Sequence, residues 1–136
     1  MNKTGQQIED DVFMLLKNSI LKTTVSGDVY KFGIRPRNSE KEDVVVKFIT
    51  GLDNQIQTGV VLVNIFIPDI SIGKDGVKVR NINRCKEIET IANEWVNSLK
   101  GLEYKFSLAS TIQTFEDEEI KQHFVSVRLK FKLLTT

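Results

Sequence analysis

The segment that most constrains the fold is residues 59–67, which read GVVLVNIFI and contain one polar side chain, Asn64. β-Branched and aromatic residues dominate it, and these lose rotamer freedom in helices but pack well in sheets. Because the run is short and ends at Pro68, we predict a central strand rather than a buried helix. A strand with one face in water alternates apolar and polar residues, whereas this strand is apolar on both sides. Both of its faces are therefore expected to be covered.

Length and composition set the protein class. A chain of 136 residues fits a single domain, residues 1–136, that can bury a core without disulfides or metal. Its net charge of +1 creates no general attraction to nucleic acid or to membranes. A lone Cys85 cannot form an internal disulfide, and the sequence shows neither a signal peptide nor an apolar run of ~20 residues. We expect a soluble intracellular or particle-bound protein with no membrane partner.

Two helices are predicted from their periodicity. The first covers about residues 5–19 and starts at a Thr4–Gln7 capping box, with Glu9, Asp10 and Asp11 placed near the positive end of its dipole. The second follows Asn81 or Asn83 as its cap, and Gly101 ends it. The buried face of the second helix is formed by Ile88, Ile91, Ala92, Trp95, Val96 and Leu99. We expect this helix to cover one face of the sheet.

The strand pattern predicts an antiparallel arrangement. Residues 28–34 and 43–50 form strands, and the loop 51–55 joins the second of them to the central strand as a hairpin. Residues 69–83 form a long loop. Residues 104–113 and 125–133 then form a hairpin with an acidic tip at 116–119. The predicted fold class is α+β, a mainly antiparallel sheet of about five strands with an N-terminal helix and an amphipathic helix packed on it.

No motif points to catalysis, a cofactor or a metal. Gly73–Lys74 resembles the end of a phosphate-binding loop, but Pro68 replaces the first glycine and Asp75 the final Ser or Thr. With one His and one Cys, zinc would need carboxylates or a second chain. Cys85 and His123 are the remaining nucleophile and base, but they lie on different predicted elements. We favour a helix-end thiol and a hairpin histidine over a catalytic pair.

The row Arg128, Lys130 and Lys132, here called the basic row, concentrates positive charge on one side of the last strand. One interpretation is the solvent-exposed side of an edge strand, where lysines discourage aggregation. The other is a docking surface for an acidic partner, such as the 116–119 tip of another subunit. Nucleic-acid recognition is not expected, because the aromatic residues needed for base stacking are predicted on the opposite, buried face.

The order of these parts resembles the tail-terminator (tail-completion) proteins of long-tailed bacteriophages. The resemblance covers nearly the whole chain and includes a capped N-terminal helix, the strand VYKFG followed by Arg35-Pro36-Arg37, the strand EDVVV at 42–46, a hydrophobic strand, a variable loop, an amphipathic helix and a final hairpin. No family-specific functional residue matches a single position.

The resemblance implies a virion protein, assembled in the cytoplasm of a bacterial host, without catalytic residues or cofactors. Such proteins form a ring, usually a homohexamer, at the head-proximal end of the tail tube. The ring contacts the tail tube protein and the head-completion protein, and weak contacts would leave a monomer in solution. The expected interface residues are Arg35, Arg37, Lys74, Asp75, Lys78, Arg80, Glu116, Asp117, Glu118, Glu119, Arg128, Lys130 and Lys132.

Two other functions stay open. One is a small ligand-binding or enzymatic α+β domain that uses the glycine-containing loop 69–83 as a lid over a concave site. The other is a different head–tail adaptor from the same group of phage proteins. The exposure of the central strand indicates which surface a ring would use. If Val60, Leu62 and Phe66, or the opposite set, are uncovered in one chain, that surface is the expected assembly contact.

Overall fold

The computed structural model describes residues 2–134, and Met1, Thr135 and Thr136 of the predicted 1–136 domain lie outside the described residues. The helices are α1 (Gly5–Lys17), α2 (Ile20–Thr24) and α3 (Ile82–Asn97). The strands are β1 (Val29–Lys31), β2 (Val44–Leu52), β3 (Ile56–Pro68), β4 (Ile70–Ser71), β5 (Lys78–Val79), β6 (Tyr104–Leu108), β7 (Gln113–Asp117) and β8 (Gln122–Leu134).

The main sheet has six strands and follows the order β1-β2-β3-β8-β6, with β7 pairing β8 beyond the end of β6. Strand β1 runs parallel to β2, and the remaining pairs in this sheet are antiparallel. Residues 69–83, predicted as a long loop, instead contain β4 and β5, which form a separate two-stranded hairpin, and the start of α3. The α+β class with a mainly antiparallel sheet is confirmed, with one strand more than the predicted five.

The predicted central strand is confirmed, since β3 lies between β2 and β8 and pairs with β8 along its whole length. Its side chains at Val61, Val63, Ile65 and Ile67 are at most 1% exposed. They pack with Val125, Val127 and Leu129 of β8 in a single hydrophobic cluster that also contains buried residues of α1 and α3. The core therefore lies between one face of the sheet and the helices.

Both long helices lie on this same face. Helix α1 packs on β1 and β2, and α3 packs on β3, β6, β7 and β8. Side-chain hydrogen bonds join both helices to the sheet. The Tyr104 hydroxyl on β6 donates to Asp11 on α1, and the Thr114 hydroxyl on β7 donates to Glu89 on α3. Helix α1 therefore leaves the opposite face of β3 without a helix.

Helix α1 begins as predicted and ends earlier. The Thr4–Gln7 capping box is present, but the helix stops at Lys17, and Ser19 caps the separate short helix α2. The acidic residues lie past the first turn, where they make tertiary contacts instead of complementing the dipole. Glu9 accepts a hydrogen bond from the Phe48 backbone N–H, and Asp10 pairs with Lys31.

Two strands differ from the prediction. The strand expected at 28–34 ends at Lys31, so Phe32 and Ile34 are exposed in the following turn. The strand expected at 104–113 divides into β6 and β7, because residues 109–112 leave the ladder after Ala109 N–H donates to the Arg128 carbonyl. Asn81, one of the two predicted caps, caps α3. The helix ends at Asn97 with Ser98 as its C-cap, so it ends before the predicted Gly101, which adopts φ +72, a conformation that glycine accepts without strain.

Tyr104 is the buried group whose ionisation should affect stability most clearly. Its hydroxyl donates to Asp11 Oδ2 at 2.6 Å, and burial together with the Asp11 carboxylate raises the pKa of Tyr104. A raised pKa means that its contribution is intact below the unfolded pKa of about 10 and is lost as pH rises above that value. We expect Tyr104→Phe to cost about 1 kcal/mol at pH 7. Urea unfolding between pH 9 and 11 should then show a flatter decline for the variant than for the wild type.

The control is Tyr30→Phe, which removes a hydroxyl that forms no hydrogen bond with the described residues. Its unfolding free energy should follow the wild type at both neutral and alkaline pH. Equal alkaline slopes for Tyr104→Phe and the wild type would contradict the assigned role of the Tyr104–Asp11 bond.

Candidate functional site

No described helix packs on the sheet face turned away from α1 and α3, here called the outer face, and the loop after β1 reaches one end of it, where Arg35 lies over Phe66. The strand registers assign its residues, because side chains at directly paired positions share a face. The outer face contains Tyr30, Val45, Lys47, Val60, Leu62, Asn64, Phe66, Phe115, Phe124, Ser126, Arg128, Lys130 and Lys132.

Exposure separates the two sides of β3. Val60, Leu62 and Phe66 are half-buried, whereas Val61, Val63 and Ile65 on the helix side are completely buried. The expectation that both faces are covered is therefore wrong for the single chain. An antiparallel sheet tolerates water on one face when that face is polar, but here the face carries apolar and aromatic side chains.

Aromatic residues gather at one end of the outer face. The Phe124 ring lies 5.4 Å from that of Phe66 and 5.7 Å from that of Phe115, measured between centroids. Phe115 is 46% exposed. Phe32 is exposed as well, and Lys47 Nζ lies 4.0 Å from its centroid. The prediction that the aromatic residues lie on the buried face is wrong for five of them, because β1, the loop after it and strands β3, β7 and β8 each contribute one aromatic residue to this side.

Asn64 occupies the middle of the outer face, between Val45 and Ser126. Its side-chain oxygen is buried and accepts no hydrogen bond from the described residues. It borders a hollow of about 330 Å³ that Leu62, Phe115 and Arg128 also line. An unpaired buried acceptor costs roughly 1–3 kcal/mol, so Asn64 offers an acceptor on this face to a donor from outside the described residues.

The basic row lies on β8, an interior strand between β3 and β6, and not on an edge strand as one interpretation assumed. Its three side chains are exposed. Lys105 on β6 is paired directly with Lys132, which extends the positive charge sideways. Among residues 2–134, none of these four cations has a carboxylate within ion-pair distance.

The acidic tip, Glu116–Glu119, spans the end of β7 and the turn into β8. Lys121 closes this turn with φ 54, in the left-handed region. Within the described part of the chain, its four carboxylates form no ion pair. Ile120 follows the acidic residues and is 39% exposed, so the tip presents one apolar side chain beside its negative charge.

Arg35 and Arg37, predicted together, have different environments. Arg35 Nε donates to Asp43 Oδ2 at 2.9 Å, and its Nη2 donates to Gln122 Oε1 at 2.9 Å. Its guanidinium also lies 4.2 Å from the Phe66 centroid. Asp43 is 1% exposed, so Arg35 neutralises a buried carboxylate. Arg37 is exposed and has no such contact among the described residues.

The β4–β5 hairpin with its turn, residues 70–79, is here called the arm. Strands β4 and β5 pair with each other, and Ile72, Val77, Lys74, Asp75 and Lys78 are exposed. A cleft of about 700 Å³ separates the arm from the acidic tip, with Asp69, Lys78, Glu116, Glu118 and Lys121 among its lining residues. The structure thus places the arm close to the tip. The arm contains three of the predicted interface residues, Lys74, Asp75 and Lys78, and Arg80 follows it in the chain. The basic row lies further along β8.

Cys85 and His123 form no hydrogen bond with each other within the described part of the chain. Cys85 is 4% exposed, and burial raises the pKa of its thiol, which disfavours the nucleophilic thiolate. His123 Nδ1 lies 2.6 Å from Asp69 Oδ1, near the cleft between arm and tip. Within residues 2–134, no group of three or more His, Cys, Asp or Glu side chains could hold a metal ion.

Several outer-face residues were absent from the predicted site. Phe115, Phe124 and Lys105 could have been assigned from the alternation of the last hairpin, because they fall on the side of the basic row. Tyr30 could not, since its placement depends on the parallel β1–β2 pair.

None of the described helices is long and apolar enough to span a membrane. A comparison with known protein families and with curated proteins finds no match for this chain.

Proposed function

We propose that this protein is a structural subunit of a long-tailed phage particle. As a tail terminator it assembles into a ring on the head-proximal end of the tail tube, stops tube growth and joins the tail to the head. Its partners are copies of itself, the tail tube protein and the head-completion protein. It acts by contact and carries out no catalysis.

The outer face, on which no described helix packs, is the observation that carries this proposal. Strands β3 and β8 contain 13 residues each, or ~43 Å at ~3.3 Å per residue. The five strand positions span ~20 Å at ~4.8 Å spacing. The other strands are shorter, so the footprint of the face is at most ~800 Å², which is about the share of one partner in a standard protein interface. Its half-buried apolar side chains on β3 lie beside the exposed cations of β8, a mixture of apolar and charged groups that is usual in interfaces.

Ring closure requires a heterologous contact, in which one surface meets a different surface on the neighbour. The chain offers two distinct surfaces for this purpose, the outer face and the end that carries arm and acidic tip. This arrangement favours a ring subunit over a protein that binds a small ligand in an enclosed pocket.

The direct test is electron microscopy of phage particles produced without this gene. Tails of abnormal length beside unjoined heads are expected. Purified protein added to growing tail tubes should also limit their length. Normal infectious particles from the deletion strain would contradict the proposed function.

Leu62→Glu should block assembly without unfolding the chain. Leu62 is paired with Lys47 on β2 and Arg128 on β8, so a carboxylate at this position gains two cationic neighbours on the same face. Such cross-strand pairs contribute roughly 0.2–1 kcal/mol each and offset part of the lost apolar contact. In an assembled ring the same carboxylate would be buried at a cost of several kcal/mol. We expect at least a tenfold loss of tube-capping activity.

The matched control is Leu102→Glu, since Leu102 is 39% exposed and borders the groove between α1 and α3 on the helix side. This variant should cap tubes as the wild type does. Normal capping by folded Leu62→Glu would exclude the outer face as the assembly contact.

One observation favours the second candidate, a ligand-binding domain with a mobile lid. The arm borders the polar cleft beside the tip, and Asp69, which lies within hydrogen-bond distance of His123, is among the residues that line this cleft. Ligand-detected NMR with a fragment library would test it. Fragments that bind the wild type, but not a chain with residues 70–79 shortened, would support a lid.

A further inference from the structure

We infer that the acidic tip of one copy docks on the basic row of the next copy. This inference rests on the proposed function and assigns the two surfaces that meet in the ring. The occupant of the basic row is thus a second copy of the same chain, and the contact is heterologous.

The two charged sets have opposite charge, and neither set forms an ion pair within the described part of the chain. The tip carries four carboxylates, Glu116 to Glu119, and the row carries Arg128, Lys130 and Lys132 with Lys105 beside them. No ion pair involves either set within residues 2–134. Lys105 and Lys132 are directly paired across β6 and β8, a like-charge arrangement that destabilises an isolated sheet. A docked carboxylate would remove this repulsion.

The tip cannot reach the row of its own chain. Both belong to the β7–β8 hairpin, and Lys130 lies eight residues beyond Gln122, where β8 begins. At ~3.3 Å per residue this separation is ~26 Å, which exceeds the Debye length of ~8 Å at physiological ionic strength. The attraction between the two sets therefore acts between copies.

Apolar residues accompany the charges on both surfaces. Val60 is paired with Lys130 and Leu62 with Arg128, so an apolar strip on β3 runs beside the basic row. On the tip, the half-exposed Ile120 follows Glu118 and Glu119. Docking can therefore place an apolar side chain on the β3 strip while the carboxylates face the β8 cations. The tip and the row lie toward opposite ends of β8, so head-to-tail repetition leaves one of each available for the next copy.

Charge reversal provides the test. The row variant is Lys130→Glu with Lys132→Glu, and the tip variant is Glu118→Lys with Glu119→Lys. Each variant has a control with the same change in net charge at exposed positions elsewhere. Lys86→Glu with Lys100→Glu is the control for the row variant, and Glu40→Lys with Glu94→Lys is the control for the tip variant. In the row variant the carboxylate at position 132 faces Lys105, so the monomer should not lose stability. Reduced association then cannot be attributed to unfolding.

Association is measured by zero-length carboxylate–amine cross-linking of mixed isotope-labelled and unlabelled full chains, with sedimentation velocity at low and high salt. We expect cross-links between copies to join Glu118 or Glu119 to Lys130 or Lys132. The row and tip variants should each weaken association at least about tenfold, and the controls should not. A chain carrying both reversals, and an equal mixture of the two variants, should regain association.

Unchanged association of the row variant, or no recovery in the doubly reversed chain, would overturn the tip-to-row contact. Cross-links from the row to carboxylates of α3, or row-dependent binding of a nucleic acid with no tip cross-links, would do the same. If these results came with normal tail capping, the terminator function would stand and only this contact would fail. Normal particles from the gene-deleted phage would instead remove the function.

Discussion

Arg35→Ala is expected to lower the free energy of unfolding by about 3–5 kcal/mol, because it leaves the buried Asp43 carboxylate without its cation. The Asp43 side chain is 1% exposed and that of Arg35 13% exposed, so water screens this pair poorly. A loss of this size is a large fraction of the total stability of a small domain, about 5–15 kcal/mol. Chemical denaturation followed by circular dichroism measures it directly.

Two further variants identify the cause of that loss. Arg37→Ala removes an exposed guanidinium two residues away and should change the unfolding free energy by less than ~0.5 kcal/mol. Adding Asp43→Asn to Arg35→Ala removes the unpaired charge while leaving a polar group for the Asp28 N–H, so part of the lost stability should return. A double variant no more stable than Arg35→Ala would indicate that the stacking of Arg35 on Phe66 matters more than the ion pair.

The expected contrast between Arg35 and Arg37 also divides the predicted interface. Arg35 links the 35–43 loop to Gln122 at the start of β8 and stacks on Phe66 of the outer face. It therefore supports the end of the sheet from which the acidic tip projects. Arg37 has no such contact among the described residues and is free to meet a partner. If the loop forms part of an assembly contact, Arg37→Ala should affect assembly while Arg35→Ala should affect folding.

Local pattern was sufficient to predict the elements whose periodicity is strong. The alternation from Val125 to Leu133 predicted β8, the run at 59–67 predicted β3, and the Thr4–Gln7 box predicted the start of α1. Each of these signals depends on residues close together in the chain. The predicted ends of strands were less accurate where the alternation of side chains continues past the point at which strand pairing stops. Residues 109–112 continue the alternation of β6 and yet leave the ladder.

The candidate site was harder to predict because it depends on contacts between distant residues. The sequence cannot show that α1 and α3 share one face, which is what leaves Val60, Leu62 and Phe66 without a covering helix. Nor does it show that Arg35 contacts Gln122, 87 residues further along the chain. The basic row was correctly recognised as a side of β8, but its place on an interior strand follows from the β6–β8 and β7–β8 pairing. Aromatic residues reach the outer face from separate segments for the same reason.

Gly59→Ala is expected to cost about 3 kcal/mol or more, since the added Cβ has no space on the helix side of β3. It would lie 2.3 Å from the Thr50 carbonyl oxygen and 2.7 Å from two ring atoms of Phe131. Real Cβ atoms do not approach backbone that closely, so the strand or the ring must move, and overpacking of this kind is destabilising. Thermal and urea unfolding of the purified variant measure the loss.

Gly51 is the matched control because it is the direct partner of Gly59 in the β2–β3 register. A Cβ there would lie 3.1 Å from its nearest neighbours, so we expect Gly51→Ala to cost at most ~1 kcal/mol. Combining Gly59→Ala with Phe131→Leu should cost less than the sum of the single changes, because the Cβ and the ring compete for one space.

The Gly59 result also tests the assignment of the outer face. Side chains alternate along β3, so a shift of one residue would turn Val60 and Leu62 toward the helices and Val61 and Val63 away from them. The clash with Phe131 exists only if Gly59 points toward the core and Val60 points outward. A wild-type unfolding curve for Gly59→Ala would therefore contradict the register itself, and with it the surface on which the proposed ring contact depends.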